Sequence, residues 1–522
     1  MSSGYQGDLD QKASAHLELL EALGHAVPRS LDIQRSRRIY VNRNLKLEEI
    51  DLIGFDMDYT LALYNQRNLE NLSIQCTLDK MVKKRGYPEE ILKLDYDYTF
   101  GLRGVVVDRQ EGNIFKMDRY GHVGRVYHGK KLLTREERHR LYRGSQRIKL
   151  SMPRYAWIDT LFALPEAVMY ASIIEEVDTK QGPWNRGYSQ LWQDIRECID
   201  EAHRDETLKR VIKADVQKFI VRDPDLAPTL HKFRSSGKRL FLLTNSAWDY
   251  TEPVMEFLLD GALPAYPSWR SYFDIVVVSA QKPAFFTEKR PFLELELPSG
   301  QPKGPAHTGP FLKNRVYQGG NVVDFEQLAG AAGDRILYIG DHIYGDMLRA
   351  KKSSVWRTAM ILQELEEELV QAERHKDQIL KLETLERQCN RLDSEITYQQ
   401  QMLKSLQKLE TKPAHEDGDG DPLVHAHTTV ESAKREAKRR LDELRATLRA
   451  SADEIEQIEK ELDRAFNPYW GEIFREGVEN SRFGEQVEDY ACVYTSRVSN
   501  FLAYSPLRYF RSPRDHMPHE LV

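Results

Sequence analysis

Cysteine is scarce. The 522 residues contain four, Cys76, Cys198, Cys389 and Cys492, scattered without the spacing of a metal cluster. That excludes a disulfide framework and reads as reduced intracellular thiols. No apolar run approaches the length of a membrane span, and the start, Met1 to Asp8, has no apolar stretch of the export type. Positive charge is not in excess either: 75 basic residues face 81 acidic ones, a net charge of −6, which gives no support to nucleic-acid binding. What is present is core-forming material, 41% hydrophobic and 10% aromatic, in a chain too long for one ordinary core. These features lead us to expect a cytoplasmic protein of two or more domains, with no nucleic-acid or membrane partner.

Four short polar segments each follow an apolar run. Asp51–Phe55 leads into Asp56-Met57-Asp58-Tyr59-Thr60, and Arg239–Leu243 into Thr244-Asn245-Ser246. Phe273–Val278 precedes Lys282-Pro283, and Arg335–Ile339 precedes Gly340-Asp341-His342-Ile343-Tyr344-Gly345-Asp346. Such runs read as buried strands of a parallel sheet, with polar groups just past their carboxyl ends, where open α/β sheets bind ligands. Each segment alone is a weak signal, since acidic turns and helix caps are common after strands. Their conjunction and order resemble the haloacid dehalogenase (HAD) superfamily of phosphotransferases.

The residue types suit that chemistry. Asp56 can attack phosphorus and form an aspartyl-phosphate, dividing one hard step into two. Asp58, on the same side of an extended chain, can protonate the leaving oxygen and later deprotonate water. Thr244, Asn245 and Ser246 offer hydroxyl and N–H groups to phosphate oxygens, and Lys282 sets a positive charge against an anionic transition state. Asp56, Asp58, Asp341 and Asp346 form an expected oxygen-ligand site for Mg2+.

The rest of the chain divides by pattern. Residues 1–36 read as a polar arm. The core is expected over 37–65, 226–360 and 467–522, its strands beginning near Arg38-Ile39-Tyr40-Val41, with the aromatic-rich C-terminal stretch packing back on it. Residues 66–225 lie between the first and second motifs and are far longer than a loop. Within them Leu102–Arg119 reads as a β-hairpin region around Glu111-Gly112-Asn113, and helix is expected from about Tyr155 to Ile220. Over 361–466, Leu385, Cys389, Leu392, Ile396, Gln399, Leu403 and Leu406 alternate by fours and threes. Val430, Ala433, Ala437, Leu441, Leu444, Leu448, Ile455, Ile458 and Leu462 continue a similar pattern. This predicts an antiparallel coiled-coil hairpin with a loop at Thr411–His427. The acidic run Asp417–Pro422 lacks a suitably spaced downstream Glu for calcium, and His415, His425 and His427 have no further ligand to support a metal.

A closer likeness lies in the wording around the motifs. Val41-Asn42-Arg43-Asn44-Leu45, Gly54–Ala62, Tyr317-x-Gly319-Gly320, Tyr338–Asp346 and Met517-Pro518-His519-Glu520 resemble the cytosolic purine 5'-nucleotidases of the IMP–GMP-specific type. The resemblance spans roughly 38–360 and resumes at about 467–520. It implies a HAD-like Rossmann-type parallel α/β core, an α+β cap inserted at 66–225, and Mg2+-dependent hydrolysis of purine nucleoside 5'-monophosphates. Transfer of the phosphoryl group to a nucleoside is a second implied activity. The coiled-coil hairpin reads as subunit association, giving a homo-oligomer, dimer or tetramer, against partner docking or a purely intramolecular hairpin. By the family pattern Phe162 stacks on the purine, Arg196 and Asp200 handle base edge or ribose, and His203 with Lys209 completes the pocket. Read without the family, Arg196, Asp200 and His203 are one face of a helix and equally a solvated stripe.

The chain departs from the family at several positions. Arg204 replaces an aromatic residue. At the family's effector site Lys149 and Asp159 stand in for an Arg and an Asn, while Lys352 fits, so altered or absent activation by nucleotides is expected. Two rival readings stay open: the same core acting on another phosphomonoester, and a coiled-coil assembly protein over a vestigial core.

Overall fold

A computed structural model describes residues 33–142, 148, 150, 152–180, 186–306, 309–348, 354–410 and 422–513. Most of the expected arm, Lys149, Lys352, His415, the acidic run and Met517–Glu520 lie outside the described residues.

The four apolar runs are strands, and they are neighbours. A ten-stranded sheet carries, in order, Tyr40–Val41, Val493–Thr495, Arg357–Ile361, Ile336–Gly340, Leu52–Phe55, Arg239–Leu243, Ile275–Val278, Val316–Gly319, Phe292–Glu296 and Gln301–Pro305. From Val493–Thr495 through Val316–Gly319 every pairing is parallel. The outermost pairings, at Tyr40–Val41 and at Phe292–Glu296 with Gln301–Pro305, are antiparallel. The α/β class read from continuous apolar runs is therefore the class observed, since strands buried on both faces have no polar side to alternate. Leu52–Phe55 is buried at every position and sits between Ile336–Gly340 and Arg239–Leu243. Gly54 makes this possible: a Cβ there would meet the Phe241 ring at 1.9 Å. Phe241 in turn packs with Phe325 and Trp356, whose centroids lie 4.8 and 5.9 Å away, in an aromatic layer on the sheet.

The residues between the first and second motifs form a second, five-stranded sheet with helices. Its order is Lys131–Leu132, Val123–His128, Asn113–Met117, Val106–Asp108, Tyr155–Trp157. The hairpin expected in Leu102–Arg119 is present as Val106–Asp108 paired with Asn113–Met117. Helix was expected from Tyr155, and here the structure differs: Tyr155–Trp157 is a strand on Val106–Asp108, and helix begins with the turn Leu161–Ala163. A distant partner decides that segment. Helices Leu164–Thr179, Tyr188–Arg204 and Thr207–Ala214 follow, and Gln66–Arg85 precedes the sheet. This region is not set apart from the main sheet: the described residues up to Leu369 and from Glu472 onward make one compact unit.

Val370–Gly471 make a second unit, starting and ending later than the 361–466 read from periodicity, because Arg357–Ile361 is still a strand of the main sheet. Helices Lys376–Glu410 and Pro422–Phe466, of 35 and 45 residues, run antiparallel, as ion pairs Lys381–Glu454 and Arg440–Glu395 require. Leu385 packs with Ile458 and Leu462, and Ile396 with Leu441 and Leu444, all from the alternating pattern. The second helix starts at Pro422, a residue suited to a first helical position, and so extends into the segment expected as loop. All four cysteines are free thiols. No described helix is long and apolar enough to cross a membrane.

Candidate active site

Two of the four motifs converge on a buried carboxylate cluster. Oxygens of Asp56, Asp341 and Asp346 lie within 4.8 Å of one another. Asp56 is held at its strand end by its own N–H, which donates to Ile339 O at 2.8 Å, and Met57 N donates to its carboxylate. Asp346 comes from a π-helical turn, Ile343–Leu348, directly after the strand Ile336–Gly340. Gly340 lets it approach: a Cβ at that position would stand 2.5 Å from Asp346 Oδ2. The Lys282-Pro283 motif supplies the counter-charge. Lys282 Nζ lies 2.9 Å from Asp56 Oδ1 and 2.8 Å from Asp346 Oδ1, and donates to the Tyr338 hydroxyl at 2.7 Å.

The charges do not balance. One ammonium serves three buried carboxylates. Burial, and then the neighbouring acids against the pull of Lys282, push Asp56 well above the ordinary carboxylate range. Burial and Asp346, against Arg103, raise Asp341 to about 7. Burial works against the Lys282 charge, but Asp346 and Asp56 outweigh it and keep the lysine protonated. A cluster of oxygen donors with surplus negative charge fits a hard divalent cation.

Asp58 was expected as a fourth ligand and is not in this cluster. Its two oxygens accept from Tyr64 Oη at 2.6 Å and Ser246 Oγ at 2.8 Å. Tyr64 also bonds the Tyr250 hydroxyl at 2.8 Å. Both hydroxyls draw the carboxylate toward the neighbouring cleft, which leaves Asp58 placed for proton transfer. The turn that swings it there has Tyr59 at φ +54° and three N–H groups, from Thr60, Leu61 and Ala62, on Met57 O.

The Thr244-Asn245-Ser246 segment also divides its roles. Thr244 N donates to Val277 O at 3.0 Å, and its Oγ1 accepts from Ser246 N at 3.0 Å. Asn245 was expected to bind phosphate through the N–H groups of this segment. Its side-chain amide is used elsewhere: it accepts from Lys282 N at 2.6 Å and donates to Lys282 O at 3.0 Å. Helix Trp248–Leu259 begins just beyond, its amino end near this segment.

A cleft of about 370 Å3 opens beside Asp58, lined by Tyr64, Asn245, Ser246 and Tyr250 on one side and by Phe162, Arg196, Asp200, His203 and Lys209 on another. Every residue expected to hold a base or ribose is therefore on this cleft. Phe162 and His203 meet edge to face at 5.9 Å. Burial and Lys209 depress the His203 pKa, so the ring faces the cleft uncharged at neutral pH. Lys209 Nζ lies 5.6 Å from the centre of the Tyr250 ring. Arg204, where the likeness broke down, is exposed and not among the lining residues.

Several participants escaped the sequence reading. Glu166 takes Arg196 Nη1 with both oxygens, at 2.8 and 2.9 Å, and burial raises its pKa to about 7 despite that arginine. Tyr64 and Arg103 carry no motif, and Tyr338 stands only within an apolar run and the Tyr338–Asp346 likeness, with no role of its own. Asp159 pairs with His342 at 3.2 Å. An alternating helix face was the one available signal for Glu166, four residues after Phe162.

Comparison with known proteins agrees with this geometry. A family model described as the 5' nucleotidase family matches residues 39–522. A 5'-nucleotidase domain-containing protein of Dictyostelium discoideum is 27% identical over 491 residues, covering 92% of this chain and 74% of that protein. The proteins named 5'-nucleotidase domain-containing protein 2 are 27% identical in Rattus norvegicus over 529 residues and in Homo sapiens over 523. Each covers 98% of this chain, at 86% and 89% of their own lengths. Among solved structures, CbbY from Rhodobacter sphaeroides in complex with phosphate is 12% identical over 60% of this chain and 86% of its own, with a TM-score of 0.23. A 2-haloacid dehalogenase from Pseudomonas syringae is 13% identical at the same coverage, with a TM-score of 0.19, and neither likeness is close enough to build on. Matched by the family model over nearly its whole length, the chain belongs to the 5' nucleotidase family.

Proposed function

We propose that this protein hydrolyses purine nucleoside 5'-monophosphates, IMP and GMP before AMP, to nucleoside and phosphate. One observation carries the reading: the acid/base candidate Asp58 and the base-side residues Phe162, Arg196, Asp200, His203 and Lys209 line a single cleft. That cleft adjoins the strand end bearing Asp56.

Asp56 attacks phosphorus, and the phosphoryl group moves from the nucleotide oxygen to the Asp56 carboxylate. Asp58 gives the leaving oxygen a proton, then takes one from the water that hydrolyses the aspartyl-phosphate. With the Tyr64 and Ser246 hydroxyls donating to it, both Asp58 oxygens act as acceptors. To carry a proton it needs one hydroxyl to turn and accept, and Tyr64 can do so by exchanging donor roles with Tyr250. Lys282 holds positive charge beside the attacked phosphate, Thr244 and Ser246 lie next to it, and the amino end of helix Trp248–Leu259 favours an anion there. Asp56, Asp341 and Asp346 would hold Mg2+, which when bound supplies charge that screens nucleophile from phosphate. An alcohol admitted in place of water would receive the phosphoryl group, so transfer to a nucleoside is a second activity of the same intermediate.

Base preference follows from Arg196. Glu166 occupies Nη1, and the remaining guanidinium donors suit the acceptor oxygen of a 6-oxo purine. A 6-amino group would present a donor to the same cation. We assign the protein to the cytoplasm as a homo-oligomer, dimer or tetramer, associated through the helical hairpin.

Phosphate release from IMP, GMP, AMP, CMP and a sugar phosphate, with Mg2+ or EDTA and with Asp56→Asn as control, tests this. Metal-dependent turnover of IMP and GMP, absent in the variant, is expected. Turnover of the sugar phosphate alone would sink the purine assignment.

A further inference from the structure

Arg103 lies in the inserted region, on the loop before strand Val106–Asp108, and its side chain is 0% exposed. A guanidinium so buried must have its charge met and its donors used. Glu364, just past the sheet strand Arg357–Ile361, meets the charge: Nε donates to Oε1 at 2.7 Å and Nη2 to Oε2 at 2.6 Å. The Phe483 ring lies 5.1 Å from the guanidinium carbon. Those contacts alone would satisfy a structural ion pair.

The remaining nitrogen goes elsewhere. Nη1 donates to the main-chain oxygen of Asp341 at 2.9 Å. The other end of that same peptide group, the N–H of His342, donates to Asp346 Oδ2 at 3.3 Å. One peptide plane is thus pinned at its oxygen by Arg103 and aims its N–H at one acidic side chain of the cluster, while carrying the other, Asp341, at its start. We propose that Arg103 is a positioning residue for the divalent-ion site: it fixes the Asp341–His342 peptide and thereby sets the orientation of both Asp341 and Asp346. It does so from the inserted region, so the fold of that region bears on ion affinity without contributing a ligand.

The inference rests on the reading of Asp56, Asp341 and Asp346 as an ion site. Arg103→Lys tests it, because lysine keeps the charge that Glu364 needs but cannot supply three donors in a planar fork. The measurement is calorimetric binding of Mg2+, and of Mn2+ as a second probe, to the full chain without nucleotide. Outer partners of ligands typically govern affinity by about 10–100-fold. The expected result is a Kd raised by about tenfold or more, an unchanged melting temperature, and turnover restored toward wild type by excess Mg2+ with nucleotide KM unaltered. A Kd within about twofold of wild type overturns the proposal, as does a loss of turnover that excess ion does not restore. If the lysine variant fails to fold, Glu364→Asp draws the guanidinium off the Asp341 carbonyl, and an unchanged Kd there overturns it equally. No binding of either ion to the wild-type protein would instead remove the ion site itself, and this inference with it.

Discussion

The side chain of Asn245 clasps the main chain of Lys282 from both directions, taking its N–H at 2.6 Å and giving to its carbonyl at 3.0 Å. The strand leading to Lys282 ends at Val278, and the connection passes through Ser279 and Gln281, both at positive φ, +47° and +58°. Non-glycine residues in that region are held there by their surroundings at some cost. Asn245 is part of what holds them, and so fixes where the one buried ammonium of the site stands.

Asn245→Ala should therefore impair catalysis through Lys282. Losing a preorganised charge partner of a transition state costs roughly 100-fold or more in kcat. We expect a fall of that order in phosphate release with nucleotide KM changed little, read by steady-state kinetics at saturating Mg2+. A fall in binding with kcat intact would show that the amide contacts substrate instead.

Stability should depend on pH through two glutamates whose pKa values the fold raises. Glu368 accepts from Ile473 N with both oxygens at 3.0 Å, yet burial raises its pKa to about 8. Burial likewise raises Glu70 to about 7, against its bond from Gln66. In the unfolded chain both titrate near 4.5. Between about 4.5 and 8 the folded protein thus holds protons the unfolded chain has lost, so stability falls as pH rises through that window. The melting temperature should drop from pH 5 to pH 8.5, and Glu368→Gln should flatten the curve and gain roughly 2–4 °C at the alkaline end. A variant that melts lower at pH 8.5 would contradict this.

Excision of residues 376–466 behind a short Gly/Ser linker tests what the hairpin does. Its helices are antiparallel, so the chain returns to the end it left. Turnover should stay within about twofold while the number of chains per particle, taken from the light-scattering mass divided by the mass of one shortened chain, falls below that of the intact protein. An unchanged number would place association elsewhere on the molecule.

The motif residues were legible because each closes an apolar run, and a strand end is a local event. Asp56, Thr244, Lys282, Asp341 and Asp346 came from that signal, and their meeting needed only the parallel order of their strands. Side-chain direction was not legible. Asp58 turns from the carboxylate cluster because Tyr64 and Ser246 hold it, and one of these lies far along the chain. The Asn245 side chain has as its partner a main chain 37 residues on, which no local pattern records. Tyr155–Trp157 is a strand by virtue of Val106–Asp108, a pairing that no local periodicity records. Arg103 bears no motif, since its meaning lies in three distant segments that close around it.

The register of Val493–Thr495 against Arg357–Ile361 has a consequence for synthesis. When Arg357–Ile361 leaves the ribosome its outer edge has no partner, and the whole helical hairpin must be made before the missing strand arrives. At about 5–20 residues per second this interval lasts on the order of ten seconds. During it a parallel sheet presents an unpaired edge, the feature that most invites pairing with a neighbouring chain. Truncated or stalled nascent chains of this protein are thus expected to aggregate through that edge, and the last strand of the main sheet to be translated is the one that seals it.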